Sequence, residues 1–201
     1  MRRIRARQRC NSSAGRGSTA RLGRRSARQP RRTYVIPASA SPAPLPLPGL
    51  TWGIKRSFMD YISGLPDGAV SAADGATVTA SGEFCFAPDG AEYDPASGTG
   101  VLRFRGDVRV AGHHGMMFVR LLDPWVEFAA GHGILSISTG DGGGHERTDV
   151  GTLRTAAPRN MDGFLVWERV DVAISQSGSE LFDGQYADGQ AMDPLVIRVP
   201  A

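Results

Sequence analysis

The sequence has few of the residues that usually build a catalytic or metal-binding site. Its 201 residues include 2 Cys, Cys10 and Cys85, which are too few for a disulfide framework or a cysteine-based zinc site. The motifs G-x-S-x-G, H-E-x-x-H, G-x-x-x-x-G-K and C-x-x-C are all missing. These absences argue against the common hydrolases, metalloproteases, nucleotide-binding proteins and dithiol oxidoreductases. We therefore expect free thiols and a protein that is not an enzyme.

Acidic residues are missing from the first part of the chain. Residues 1–32 contain twelve Arg, whereas the first acidic residue is Asp60. Residues 50–201 carry the other eleven basic residues and all 20 acidic ones, a net charge of −9. Residues 37–48, PASASPAPLPLP, are too rich in proline for a helix or a central strand. We predict a disordered, Arg-rich and Pro-rich basic tail over residues 1–47 and one folded domain over residues 48–201.

The sequence gives little sign of nucleic-acid binding or of membrane insertion. No aromatic residue precedes Tyr34 in the basic tail, which argues against nucleic acid as its partner. No run approaches the ~20 apolar residues of a transmembrane helix. The stretch RRTYVIPASA (residues 31–40) resembles an export signal, but prolines interrupt its apolar part. We expect a cytoplasmic protein, with export to the cell surface as the alternative.

Hydrophobic periodicity predicts one helix at the start of the domain, followed by strands. Ile54, Phe58, Tyr61, Ile62 and Leu65 recur at helical spacing and define one apolar face, which ends at Gly64 and Pro66. A second short helix is predicted over residues 177–182. Between these helices, short β-prone runs alternate with Gly-, Asp- and Pro-rich turns. The predicted strands cover residues 76–80, 83–87, 100–111, 116–122, 125–129, 133–138, 151–155 and 165–174, with another at 195–199 after the second helix.

This pattern predicts a mainly β fold. We expect a β-sandwich or partly closed barrel of about ten short strands with one or two short helices. In VLRFRGDVRV (residues 101–110), apolar and charged residues alternate, as in a sheet with one face toward water.

The candidate binding residues are a tyrosine and a histidine pair. His113 and His114 lie in the turn VAGHHGMMF, and because neighbouring strand residues face opposite sides, only one of them can point into a given pocket. Tyr61 is either a packed core residue or an iron ligand. A phenol has a pKa near 10, so it ligates ferric iron at neutral pH only with help from the metal or from a neighbouring donor such as histidine. His132 and His145 lie in other glycine-rich loops and are weaker candidates.

Several stretches together resemble the HtaA haem-binding domain, a module of Gram-positive haem-uptake proteins. GLTWGIKRSFMDYISG, DGATVTASGEFCF, YDPASGTGVLRFRGDVRVAGHHG, DPWVEF and YADGQAMDPLVIRV carry the resemblance, which spans about residues 49–199. It implies a mainly β fold that binds one haem b. The family's axial tyrosine matches Tyr61, the histidine that supports it matches His113, and a further haem-associated tyrosine matches Tyr186. Val110 and Ala111 stand where the family usually has an aromatic residue.

The resemblance suggests the surroundings of Tyr61 and the partners of the protein. We expect Phe58, Ile54 and Leu65 to form the floor under the porphyrin. Met116, Met117 and Phe118 either line the pocket or belong to the core, and Lys55 and Arg56 either pair with a propionate or face water. The expected function is non-covalent haem capture, transport or transfer through tyrosinate ligation, with haem and other haem-uptake or haem-receiving proteins as partners. The alternatives are a protein-interaction module without haem and a haem enzyme that uses His114.

Overall fold

The computed structural model describes residues 46–129, 131–140 and 146–201. Within these residues the chain forms thirteen strands and two α-helices, which confirms the predicted mainly β class. Most of the predicted tail, Cys10 and His145 lie outside the described residues, so the predictions for them stay predictions. Among the described residues, no helix is long and apolar enough to cross a membrane.

The two helices and the histidine turn interrupt a series of short strands. The helices are α1 (Arg56–Gly64) and α2 (Gln176–Leu181), and a 3-10 turn spans His113–Gly115. The strands are β1 (Gly49–Trp52), β2 (Ala69–Ala73), β3 (Ala76–Val78), β4 (Phe84–Asp94), β5 (Thr99–Arg105), β6 (Asp107–Gly112), β7 (Met117–Leu122), β8 (Trp125–Ala129), β9 (His132–Ser138), β10 (Arg147–Arg154), β11 (Arg159–Met161), β12 (Phe164–Ile174) and β13 (Leu195–Pro200).

The larger sheet closes on itself. Eight of its ten strands follow the order β1-β13-β12-β10-β9-β8-β5-β4, and β1 also pairs with β4; β3 and β11 pair with β4 and β12. The ring therefore has no free edge between its first and last strands, which is how a barrel satisfies its backbone hydrogen bonds. Apolar side chains from every strand of this ring fill the core, among them Trp52, Phe86, Phe104, Leu135 and Trp167.

A smaller sheet of three strands, β2-β6-β7, carries the histidine turn at the end of its β6-β7 hairpin. The sequence predicts a single strand over residues 100–111, but the chain breaks at Gly106, where φ is +150°. A Cβ at Gly106 would lie 2.5 Å from the backbone nitrogen of Ala76. Only glycine fits this close approach, so β5 stays in the barrel and β6 leaves for the smaller sheet.

Asp107 is an exception to the alternation of buried apolar and water-facing charged residues expected over residues 101–110. Its side chain is 2% exposed and makes ion pairs with Arg109 and Arg120 at 2.6 and 2.7 Å. The two arginines stand opposite each other on β6 and β7, where like charges repel. The carboxylate between them removes this repulsion and stabilises the hairpin that carries the histidine turn.

Helix α1 begins two residues later than the start of its apolar pattern. Ile54 has a φ of +62°, which is rare for a β-branched residue, and it is fully buried before the helix begins. Asp193 stabilises the segment that leads from β1 into α1 through three hydrogen bonds. Its backbone N–H donates to the Ile54 carbonyl at 3.0 Å, its carboxylate accepts from the Arg56 N–H, and its carbonyl accepts from Trp52.

Candidate functional site

Tyr61 and His113 form a direct hydrogen bond. The phenol oxygen lies 2.5 Å from Nε2 of His113, and the two ring centroids are 5.9 Å apart. Tyr61 lies on α1, where Phe58 and Ile62 point into the core, and its own side chain remains 45% exposed. The interpretation of Tyr61 as a packed core residue is therefore wrong. Its phenol is available to a ligand and already has a histidine partner.

The histidine turn has an unusual backbone. His113 and His114 have φ values of +53° and +56°, in the left-handed region that residues other than glycine rarely adopt. The two residues therefore do not continue a strand, in contrast to the strand alternation expected from the sequence, yet only one of them reaches the site. The His114 side chain is 92% exposed. Backbone strain of this kind is concentrated at functional sites.

A shallow pocket opens beside this pair. Its volume is about 230 Å³, below the 300–1,000 Å³ that is typical of enclosed small-molecule sites. Helix α1, the β6-β7 hairpin and the segment after α2 contribute its lining: Phe58, Tyr61, His113, Met116, Met117, Val119, Phe182, Asp183 and Gln185. The walls are mostly apolar, and Met116, at 80% exposure, stands at the rim. The site can therefore hold part of a flat, apolar ligand while leaving the rest in solvent.

The predicted floor of the pocket is only partly correct. Phe58 lines the pocket, but Ile54 is buried in the core, and Leu65 packs against the core rather than lining the pocket. Phe182 and Val119 take their places in the pocket lining. The Phe58 and Phe182 rings meet edge to face with centroids 5.4 Å apart.

The three predicted pocket residues that follow the histidine turn do not all face the pocket. Met116 and Met117 line the pocket, whereas Phe118 does not. Phe118 is 53% exposed and belongs neither to the pocket nor to the core. Strand alternation explains this difference, because Met117 and Val119 face the pocket and Phe118 must face the other side of the sheet.

Tyr186 lies behind the pocket rather than in it. Its side chain is 9% exposed, and its ring packs edge to face on Phe182 at 5.6 Å. Burial raises the pKa of the Tyr186 phenol, and a hydrogen bond with Ser57 partly offsets this effect. Tyr186 therefore supports α1 and Phe182 from the core, and its part in ligand binding stays a prediction.

The two basic residues at the start of α1 do not line the pocket. Lys55 uses its ammonium group to donate to the Ala191 carbonyl at 2.8 Å, and Arg56 is exposed with its backbone N–H bonded to Asp193. His132 starts β9 and is likewise outside the pocket lining. Among the described residues, no group of three or more His, Cys, Asp or Glu side chains could hold a metal ion.

The sequence does not predict the part of the site that the segment after α2 contributes. Asp183 and Gln185 lie just after the predicted second helix and carry no motif, so only the fold brings them to Tyr61. Asp183 has a φ of +52°, and this local turn places the residues that follow Phe182 at the pocket.

The HtaA family profile matches residues 49–198. The chain belongs to the HtaA family. The C-terminal domain of HtaA from Corynebacterium glutamicum is 28% identical, with a TM-score of 0.64, and the match covers 75% of this chain and 94% of that one. A histidine-to-alanine variant of the same domain, crystallised as a domain-swapped dimer, is 27% identical with a TM-score of 0.56 over 83% of this chain and 97% of that one.

A solved structure of lower sequence identity shares the fold. HtaB from Corynebacterium glutamicum, described as a heme-binding protein, is 16% identical, with a TM-score of 0.58 over 74% of this chain and 90% of that one. No protein of curated function matches the chain. The family assignment confirms the resemblance found in the sequence, and these similarities confirm the barrel-like fold.

Proposed function

We propose that the protein binds one ferric haem non-covalently, with the Tyr61 oxygen as the axial ligand of the iron. The hydrogen bond between Tyr61 and His113 is the observation that carries this proposal. Membership of the HtaA family and the heme-binding description of HtaB support it. Haem b, which is held without covalent bonds, fits the site because the described residues place no cysteine in the pocket lining.

The donor set of the pocket suits ferric haem. Phenolate oxygen is a known axial ligand of haem iron, and iron binding requires the phenol to lose its proton. Nε2 of His113 is placed either to accept that proton or, as an N–H, to donate a hydrogen bond to the phenolate. Because Nε2 already contacts the phenol oxygen, His113 acts on Tyr61 rather than on the iron. Phe58, Val119 and Phe182 would contact the porphyrin.

The open pocket favours a role in haem capture and transfer. At about 230 Å³ the pocket is too small to enclose a porphyrin, so a bound haem would keep an edge accessible to a partner protein. One strong protein ligand allows release by breaking a single coordination bond. We expect haem-uptake or haem-receiving proteins as partners.

The test is an absorbance titration of the full chain with hemin. The proposal predicts that hemin binding saturates at one haem per chain. The absorption spectrum of this complex should be lost in Tyr61→Phe. Tyr93→Phe is the matched control, because Tyr93 packs against Phe128 and Trp167, outside the pocket lining. Absence of saturable binding by a folded chain would instead favour a protein-interaction module.

A further inference from the structure

Asp67 connects the end of the tyrosine helix to the histidine turn. It lies three residues after α1, and its Oδ2 accepts a hydrogen bond of 2.5 Å from the backbone N–H of His114. The two residues are 47 positions apart, so this bond joins the two segments that supply the Tyr61–His113 pair. In the sequence, Asp67 belongs to an ordinary-looking turn, LPDG, and no motif marks it.

The contact is between a carboxylate and a backbone amide. Nδ1 of His114 is 3.7 Å from Oδ2 of Asp67, and the imidazole is 92% exposed, so the side chain of His114 adds little. The hydrogen bond from the His114 amide lowers the pKa of the Asp67 carboxyl; partial burial opposes this effect, and the His113 amide contributes in the same direction as His114. The carboxylate therefore bonds the backbone of the histidine turn rather than a histidine side chain.

The turn needs such an external partner. Both histidines have left-handed backbone conformations, which persist only where the surrounding structure holds them. The Asp67 carboxylate, which accepts from the His114 amide, is such a partner from outside the turn. Leu65 adds a second contact between the same segments, because a Cβ on Gly112 would come within 2.7 Å of its Cδ1.

We propose that Asp67 is a positioning residue that holds the histidine turn so that Nε2 of His113 stays on the Tyr61 oxygen. Its effect on haem rests on the proposed function, whereas its effect on the Tyr61–His113 pair is a property of the haem-free chain. Without the carboxylate, the turn relaxes toward right-handed backbone angles and His113 moves away from Tyr61. Tyr61, the proposed axial ligand of the haem iron, then loses its hydrogen-bond partner.

The experiment compares four variants of the full chain. Asp67→Ala removes the acceptor, Asp67→Asn keeps an acceptor oxygen without the charge, and Asp67→Glu keeps the charge but displaces it by one methylene. Asp89→Ala removes an exposed carboxylate from β4 and is the control. Two readouts are used: the ¹⁵N resonances of the His113 ring in the haem-free chain, and the rate of hemin loss to an excess of apomyoglobin.

The proposal predicts that Asp67→Ala shifts the His113 ring resonances and accelerates hemin loss by about tenfold, the lower end of the effect of removing a partner of a metal ligand. Asp67→Asn should keep the His113 resonances close to those of wild type and the rate of hemin loss within about threefold of the wild-type rate, because a neutral acceptor still bonds the amide. Asp67→Glu should resemble Asp67→Ala, and Asp89→Ala should resemble wild type. If Asp67→Ala does not fold, the contrast between the Asn and Glu variants decides.

Unchanged His113 resonances in Asp67→Ala would overturn the proposal. So would a Glu variant that lies closer to wild type than the Asn variant in these resonances and in the rate of hemin loss. Failure of the proposed function looks different. In that case wild type would not retain hemin, while the resonances of His113 in the haem-free variants would still report on Asp67.

Discussion

The phenol oxygen of Tyr61 lies 2.5 Å from Nε2 of His113, although 52 positions separate the two residues. Helix α1 supplies the tyrosine, and the turn after β6 supplies the histidine. Phe58 and Ile62 anchor one face of the helix in the core, which leaves Tyr61 at the edge of the apolar pocket. The pair thus combines an exposed oxygen ligand with a partner for its proton.

Replacing His113 should weaken haem retention without abolishing ligation. In His113→Ala, the Tyr61 oxygen remains but its hydrogen-bond partner is removed, so we expect hemin to dissociate about 10- to 100-fold faster, as for other partners of metal ligands. His114→Ala should change the rate much less, because the His114 side chain is 92% exposed. The measurement is transfer of hemin to apomyoglobin, followed by absorbance.

Size-exclusion chromatography should accompany this comparison, because a histidine-to-alanine variant of the HtaA C-terminal domain formed a domain-swapped dimer. The rates are compared for monomeric fractions. Faster loss from His114→Ala than from His113→Ala would show that His114, rather than His113, supports Tyr61.

Met116 and Phe118 should differ in their effects on haem, although both are exposed. Met116 borders the pocket and Phe118 does not. Met116→Ala should weaken hemin binding by about fivefold, because the shorter side chain buries less apolar surface against the porphyrin, a difference of roughly 1 kcal/mol. Phe118→Ala should leave the affinity unchanged. Fluorescence quenching titrations would measure both, and equal effects would place the porphyrin elsewhere.

Tyr186→Phe should separate support of the fold from ligation of the iron. The variant loses the hydroxyl of a buried tyrosine, which interacts with Ser57, so we expect a loss of about 1 kcal/mol in the free energy of unfolding. The absorption spectrum of the hemin complex should stay as in wild type. Denaturant unfolding and absorbance spectra measure the two effects, and disappearance of the tyrosinate features would instead make Tyr186 the ligand.

Acid should weaken the hairpin that carries the histidine turn. Burial alone would raise the pKa of Asp107, but its hydrogen bonds with Arg120 and Arg109 outweigh burial and lower the pKa from 3.8 to about 2. A lowered pKa stabilises the fold above pH 3.8, and this contribution is lost as the pH falls toward 2. The shift in the pKa of Asp107 corresponds to about 2 kcal/mol in the free energy of unfolding.

Asp107→Asn should therefore be less stable than wild type at pH 7 by about 2 kcal/mol or more, with a smaller fall in stability below pH 4. Urea unfolding at several pH values measures this, with Asp89→Asn as an exposed control. If the stability of wild type and Asp107→Asn falls in parallel below pH 4, the ion pairs of Asp107 do not contribute as described.

The sequence predicts correctly the elements that have strong local patterns. Apolar periodicity locates α1 to within two residues, and turn residues locate most strands. Strand β2 is missed because AVSAA is exposed or only partly buried along its length, and the second half of β4 is missed because its Pro, Asp and Gly residues are typical of a turn. In both places pairing with neighbouring strands, which the local sequence does not show, determines the structure.

The site is predictable only where the family motif covers it. Tyr61 and His113 follow from the resemblance, and the structure brings them together. Asp67 and Asp183 are not predictable, because an aspartate in a turn usually serves only that turn. The role of Phe118 depends on strand register at the start of β7, which a run of three apolar residues does not specify.

The most direct test of the account is resonance Raman spectroscopy of the full chain loaded with hemin, prepared with ordinary and with ring-deuterated tyrosine. The account predicts iron-bound phenolate vibrations that shift on deuteration. They should persist in Tyr93→Phe and Tyr186→Phe and disappear in Tyr61→Phe. Phenolate vibrations that survive in Tyr61→Phe, or their absence from the saturated wild-type complex, would contradict ligation of the haem iron by Tyr61.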